Sequence, residues 1–325
     1  MSLTMPEVPV YLTHISKQFD FVKMITKDSY GYDEYVSSEG GGSMETGGQN
    51  WFERCILPDN TELQEHTLKT DRIIVIGDRC KIDYGLEGNE IVVCEFSTIN
   101  GDIHAGGDVR IDNFCEIQGD VYTTEDAYLG EGVKIKGRLI VNGDLDIGDN
   151  VQIEKGFEAK GWISIRNPLP VLTYIVLYLV TLLGIEKEDE IAEIMQKLFG
   201  YDEDEVTQIP LMIPSNSILD METFAVPKSM TIGSNCRLHG NIRAGTITID
   251  TGSTIFGSLR AEGDITVSPN NEIHGNIHSA GDVVICQGVH VLGDIQCSNL
   301  TLSEEARLDG TIKAPLGVRI AREKC

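Results

Sequence analysis

The tripeptide Gly-x-(Ile/Leu/Val) returns along this chain at nearly fixed intervals. It opens at Gly101, Gly119 and Gly137, each 18 residues from the last, with a looser member at Gly156. It resumes at Gly240, Gly257, Gly275, Gly293 and Gly310, spaced 17 or 18 residues apart. A period held this long marks a repeat architecture, in which each unit packs only on its neighbours. A second Gly-x-aliphatic column runs through Gly107, Gly143, Gly161, Gly263 and Gly281. A third column reads aliphatic, turn, small residue, x, aliphatic, as in 76–82 (IGDRCKI), 147–153 (IGDNVQI) and 232–238 (IGSNCRL).

Each repeat thus divides into three units of about six residues, with the alternation of a strand inside each. Glycine is expected at the corners, where φ is often positive and a side chain would clash. Three strands and three corners close one triangular coil, and coils stack at about 4.8 Å. The sequence therefore predicts an all-β solenoid: a three-sided parallel β-helix with about 18 residues per coil, in two blocks separated by a helical insertion. Abundant glycine (34 residues) and few aromatics (6%) suit many tight turns around a small aliphatic interior better than a cleft-forming globule.

The organisation follows from where the columns start and stop. Residues 1–50 read as a loosely ordered arm ending in a Gly/Ser-rich linker at 37–48. Residues 51–166 read as the first block with a lead-in cap, Trp51 and Phe52 being candidates to close its open end. Residues 167–228 read as the insertion, beginning at Asn167-Pro168 and holding an apolar helix and an acidic amphipathic one. Residues 229–325 form the second block. The apolar stretch 171–183 (VLTYIVLYLVTLL) offers Val171, Leu172, Tyr174, Ile175, Leu177, Tyr178, Leu179 and Leu182 for contact. It fits packing on the solenoid or a second copy, or membrane contact through 168–185. At about 16 apolar residues it is short of a full span.

Chemistry is sparse. The net charge of −25 repels phosphate backbones and argues against nucleic-acid partners. None of the eight cysteines forms a Cys-x-x-Cys pair, and the first thirty residues lack a continuous apolar run, which points to a reducing, cytoplasmic setting. Cys80, Cys115 and Cys236 fall at the small inward position of the third column and read as core packers. Asp recurs after corner glycines (Asp102, Asp108, Asp120, Asp144, Asp264, Asp282, Asp294), where it serves the turn by accepting from backbone N–H groups; a stacked calcium site is the minority reading. His239 and His274 should lie two coils apart in one column, too far to share one ion. His104 and His278 are expected to face outward. No nucleophile, base or metal constellation emerges, so neither a catalytic residue nor a cofactor is called for.

The pattern in 99–111 (INGDIHAGGDVRI) and 273–285 (IHGNIHSAGDVVI) resembles the bactofilins, polymer-forming cytoskeletal proteins of bacteria and some archaea. The resemblance covers both blocks, a little over half of the chain. It implies a right-handed triangular β-helix whose ends stack into filaments without nucleotide, a non-enzymatic scaffold that localises client proteins, often at a membrane. Two blocks flanking an insertion depart from the single uninterrupted core of that family. Either they stack into one long helix or they pack side by side. An end coil exposes unpaired backbone groups above an apolar core and must be capped or paired. That makes Leu308, Ile312, Leu316, Val318 and Ile320 the expected self-assembly interface. Two alternatives remain. A hexapeptide-repeat acyltransferase is suggested by 129–134 (LGEGVK) and would have to use His104 or His278 with an acyl-CoA donor. A membrane-associated adaptor that does not polymerise shares every scaffold feature.

Overall fold

The computed structural model describes residues 54–165 and 209–321. Every element among them is a short strand, and the strands fall into three sheets of 14, 12 and 12 members. Each sheet is one face of a triangular rod of about 12 coils. The repeat sets the register: Val109 lies beside Ile91 and Ala127, and Val121 beside Ile103 and Leu139. Alternate residues point inward, so Ile91, Val109, Ala127 and Leu145 form one of the aliphatic columns that fill the interior.

The two blocks stack into one rod, but in opposite directions. Strand order in the 14-stranded sheet runs from Ile163–Ile165 back through Ile74–Ile76 to Leu211–Ile213, then to Cys55–Leu57, and out through Ser229–Ile232 to Gly317–Ala321. Pairing is parallel everywhere except at the centre. There, Leu211–Ile213 meets Cys55–Leu57 antiparallel, Glu62–Leu63 meets Thr67–Lys69, and Ile218–Leu219 meets Thr223–Ala225. The rod is therefore two β-helices joined start to start, each winding outward from the middle.

The junction is interlaced. Strands Cys55–Leu57 and Glu62–Leu63, expected as the lead-in cap of the first block, stack instead on the second half. Strands Leu211–Ile213 and Ile218–Leu219, which follow the first block, stack on the first half. Residues 211–225, expected within the insertion between the blocks, are thus strands of the junction coils. The expected helices, the N-terminal arm, and Trp51 and Phe52 lie outside the described residues.

A duplication explains the arrangement. Residues 156 apart occupy equivalent places: Pro58 and Pro214, Gly77 and Gly233, Cys80 and Cys236, Ser97 and Ser253. Ile56 pairs across the junction with Met212, its own duplicate, so a pseudo-twofold axis passes between them. The polar contacts obey it. The Cys80 N–H donates to Ser97 Oγ (3.1 Å) and the Cys80 thiol to the Pro214 carbonyl (3.2 Å). The Cys236 N–H donates to Ser253 Oγ (2.9 Å) and its thiol to the Pro58 carbonyl (3.2 Å).

Corner glycines serve packing rather than φ. The column members Gly101, Gly119, Gly137, Gly257, Gly275, Gly293 and Gly310 do not adopt positive φ, contrary to expectation, whereas Gly156 and Gly240 do. A Cβ at Gly257 would stand 1.9 Å from the Gly240 carbonyl oxygen of the coil below. Left-handed backbone sits mostly in the third column's turn, at Arg79, Phe96, Phe114, Asn150, Asn235 and Asn270 among others. Asparagine tolerates it readily; the two phenylalanines stack on one another outside the coil (5.4 Å).

Candidate assembly ends

Because the halves wind away from each other, both ends of the described rod are outgoing ends of a coil. In the second half, Val318 and Ile320 lie beside Leu300 and Leu302, continuing two inward columns of the core. Leu308 continues the column of Val291, and Ile312 that of Ile295. No further described coil covers them, so Ile312, Leu316, Val318 and Ile320 are exposed while Leu308 is half-buried against the core. The structure thus gathers all five residues expected from the sequence onto one terminal coil. The eight residues named in 171–182 lie outside the described residues.

The sequence reading missed the other end. Ile163 and Ile165 lie beside Leu145 and Ile147, and Phe157 beside Leu139, again as core columns with no described coil above. All three are exposed, as is Trp162. The signal was present: Gly161-Trp162-Ile163 is the last Gly-x-aliphatic unit of the first block, and it places an aromatic where other coils carry Asp.

At each end the outermost strand, Ile163–Ile165 or Gly317–Ala321, has one neighbour only. Its other edge leaves backbone N–H and C=O groups unpaired among described strands, a template for a further strand.

The corner aspartates tie coils together along the rod. Asp102 Oδ1 accepts from the Asp120 N–H (2.8 Å), and Asp120 Oδ1 accepts from the Arg138 N–H (2.8 Å). Asp126 and Asp144 do the same for the N–H groups of Asp144 and Trp162 (2.7 Å each). In the second half, Asp294 Oδ1 accepts from both the N–H and the hydroxyl of Thr311 (2.7 and 2.8 Å). These bonds hold the Asp294 carboxyl below the usual carboxylate range, the backbone N–H contributing most. Asp309 on the last coil is also lowered, first by the ring of His290 (2.8 Å) and then by Arg307 (3.0 Å).

The other residues singled out from the sequence do not converge. His239 and His274 lie on either side of Phe256, ring centroids 4.5 and 4.6 Å away, with Arg237 over the same ring. His104 stands 6.1 Å from Tyr122 in an open groove beside the junction, lined also by His66, Lys69, Glu87 and Asn100. His278 lies on a different face, between Arg260 and Gln296. Burial pushes the Cys80 and Cys236 thiols up to about 11 and Cys115 up to about 12, where a nucleophilic thiolate is scarce at neutral pH. Among the described residues no group of three His, Cys, Asp or Glu could hold a metal ion, and no helix is long and apolar enough to cross a membrane.

Comparison with known proteins agrees with the geometry. No curated protein and no solved structure matches the chain. The family model for Bactofilin, described as polymer-forming cytoskeletal, matches residues 230–321. That stretch runs from the strand Ser229–Ile232 to the terminal strand Gly317–Ala321. The second half of the rod is thus the part of the chain that matches the bactofilin family model, described as polymer-forming cytoskeletal.

Proposed function

We propose that this protein is a non-enzymatic scaffold subunit that assembles end to end through the terminal coils of its two halves, without nucleotide. The observation that carries the reading is the pair of uncovered cores. Leu308, Ile312, Leu316, Val318 and Ile320 form one contact surface, and Phe157, Trp162, Ile163 and Ile165 form the other. Each offers an apolar cross-section of the solenoid interior rimmed by unpaired strand edges. A second copy's terminal coil has the matching section and supplies both the apolar cover and the backbone partners. Burying such a surface drives association with no chemical step. The acidic surface keeps subunits soluble and makes assembly respond to salt, because like-charged rods repel over about a Debye length.

Client proteins and membrane attachment belong to this reading as partners of the assembled polymer. The test is negative-stain electron microscopy of the full-length protein across a salt series with no nucleotide present. Filaments one rod wide that lengthen with salt support the reading. Discrete particles of one size at every salt concentration overturn it.

A further inference from the structure

The third column's turn carries left-handed backbone in both halves, but only the first half hangs large side chains on it. Turn positions 79, 96, 114 and 132 are Arg, Phe, Phe and Gly, and their duplicates at 235, 252, 270 and 288 are Asn, Gly, Asn and Gly. All eight have φ between 53° and 76°. Glycine and asparagine take this conformation readily, whereas a bulky side chain is penalised in it. The second half shows that the coil closes without phenylalanine at these places. Strain of this kind, kept where the fold does not require it, marks a surface with a task.

The rings are not buried in exchange: Phe96 is 47% exposed and Phe114 51%. They stack nearly parallel, their planes 14° apart, with the Arg79 guanidinium 5.5 Å from the Phe96 centroid. A Cβ at Gly132 would stand 2.6 Å from Phe114 Cδ1, so that glycine makes room for the outer ring. The ring faces are taken up by one another and by these neighbours. Their edges form an apolar ridge along one corner of the rod.

Carboxylates wall the ridge. Asp78, Glu95 and Glu131 immediately precede Arg79, Phe96 and Gly132, and Asn113, before Phe114, donates to Glu95 Oε1 (2.9 Å). The duplicates of these four, Ser234, Thr251, Gln287 and Pro269, carry no charge. Exposed rings and negative charge therefore occur together in one half and are both absent from the same turns of the other. Burial pushes the Asp78 carboxyl up and the charge of Glu95 adds to it, a crowding that an incoming cation relieves.

We infer that this ridge is a docking site for a polypeptide segment in which arginine or lysine alternates with apolar side chains. The apolar groups cover the edges of Phe96 and Phe114, and the cations meet Asp78, Glu95 and Glu131. An anionic leaflet is repelled by the same carboxylates, and the same ridge of a second copy would meet it with like charge. The ridge lies on the side of the rod, so the site stands whether or not the ends assemble.

The test measures fluorescence anisotropy of a labelled peptide of alternating arginine and leucine with the full-length protein. Phe96→Gly with Phe114→Asn installs the second half's own residues and leaves the net charge unchanged. This variant should fold and bind the peptide about tenfold or more weakly, the worth of covering two half-exposed phenylalanines. Oligolysine, which has no apolar groups, should bind both proteins equally. Glu95→Gln with Glu131→Gln, which keeps an acceptor for Asn113, should weaken the arginine–leucine peptide severalfold at low salt. Equal peptide affinity in wild type and the phenylalanine variant overturns the inference. So does failure of that variant to fold, which would show that the rings hold the coil. Loss in that variant of binding to phosphatidylcholine or phosphatidylglycerol vesicles would make the ridge a lipid contact, and a change in its own sedimentation without peptide would make it a contact between copies; either overturns the inference.

Discussion

Replacing Val318 and Ile320 together with aspartate should disable one end of the rod and leave its body intact. Val318 is 49% exposed and Ile320 64%. Fully burying a side chain of this kind is worth about 1.5–3 kcal/mol. Scaled by the exposed fraction, the pair contributes roughly 2–3 kcal/mol to one contact, which is about 30- to 150-fold in the concentration needed for assembly. Where two such ends meet face to face, each pair counts twice and the added carboxylates oppose one another, so that contact is lost at any practical concentration. Sedimentation velocity then separates two geometries. If like ends meet like ends, the variant stops as dimers joined through Phe157, Trp162, Ile163 and Ile165. If a first-half end meets a second-half end, the variant stops as monomers. Thermal unfolding should move little, because both side chains are on the last coil. Filaments forming at the wild-type concentration would refute the reasoning, since an uncovered core would then play no part in assembly.

Three further outcomes follow from the coil geometry. Gly257→Ala should lower stability by about 1–3 kcal/mol in urea unfolding, because its Cβ meets the Gly240 carbonyl at 1.9 Å, while Gly106→Ala, whose Cβ finds nothing nearer than 3.7 Å, should be close to neutral. Acidification should loosen the second half's last coils first. Asp294 and Asp309 have folded pKa values below the ordinary value, so their contribution is present above about pH 4 and is lost as pH falls through the lowered values. Asp78 and Asp250, near the junction and raised chiefly by burial, run the other way, so hydrogen exchange should rise at 307–321 while the central coils hold. Finally, 51–165 and 209–325 expressed as separate pieces should each lack a junction coil and aggregate, yet co-purify when expressed together. A 229–325 piece that unfolds cooperatively as a monomer at the full-length midpoint would contradict the interlacing.

Much of this was open to reading along the chain. Spacings of 18 between corner glycines specify the coil, and the small residues at positions 80, 97, 115 and 236 specify which side faces in. The corner aspartates accept from backbone N–H groups as their position suggests. The direction of the halves was not legible, because both blocks read forward along the chain with the same period; the antiparallel pairings at the junction, Ile56 with Met212 among them, show that the halves wind in opposite directions. The short period also hides the long one. Every column repeats at 18, so an offset of 156 adds nothing until segments without corner glycines are compared. Those segments, 56–60 (ILPDN) and 212–216 (MIPSN), hold the ends of the junction strands and the turns after them, and lacking glycines they read as a cap and as part of the insertion.

The interlaced junction also dictates an order of events during synthesis. Strands Cys55–Leu57 and Glu62–Leu63 leave the ribosome early, but the coil they complete needs Thr223–Ala225 and Ser229–Ile232, made more than 150 residues later. The first half is likewise open at its inner end until Leu211–Ile213 arrives to pair with Ile74–Ile76. Five coils of the first half can zip outward by local contacts while this end waits. Closing a loop of that length costs only about 0.6 kcal/mol more than closing one half as long, so the delay is a matter of time, not stability. During that interval the nascent chain displays a raw inner edge to every other nascent chain on the same message. Two neighbours could exchange their early strands and emerge as a linked pair. The connection through 166–208 keeps the correct partner tethered nearby, and its length sets how often the chain finds itself before it finds another.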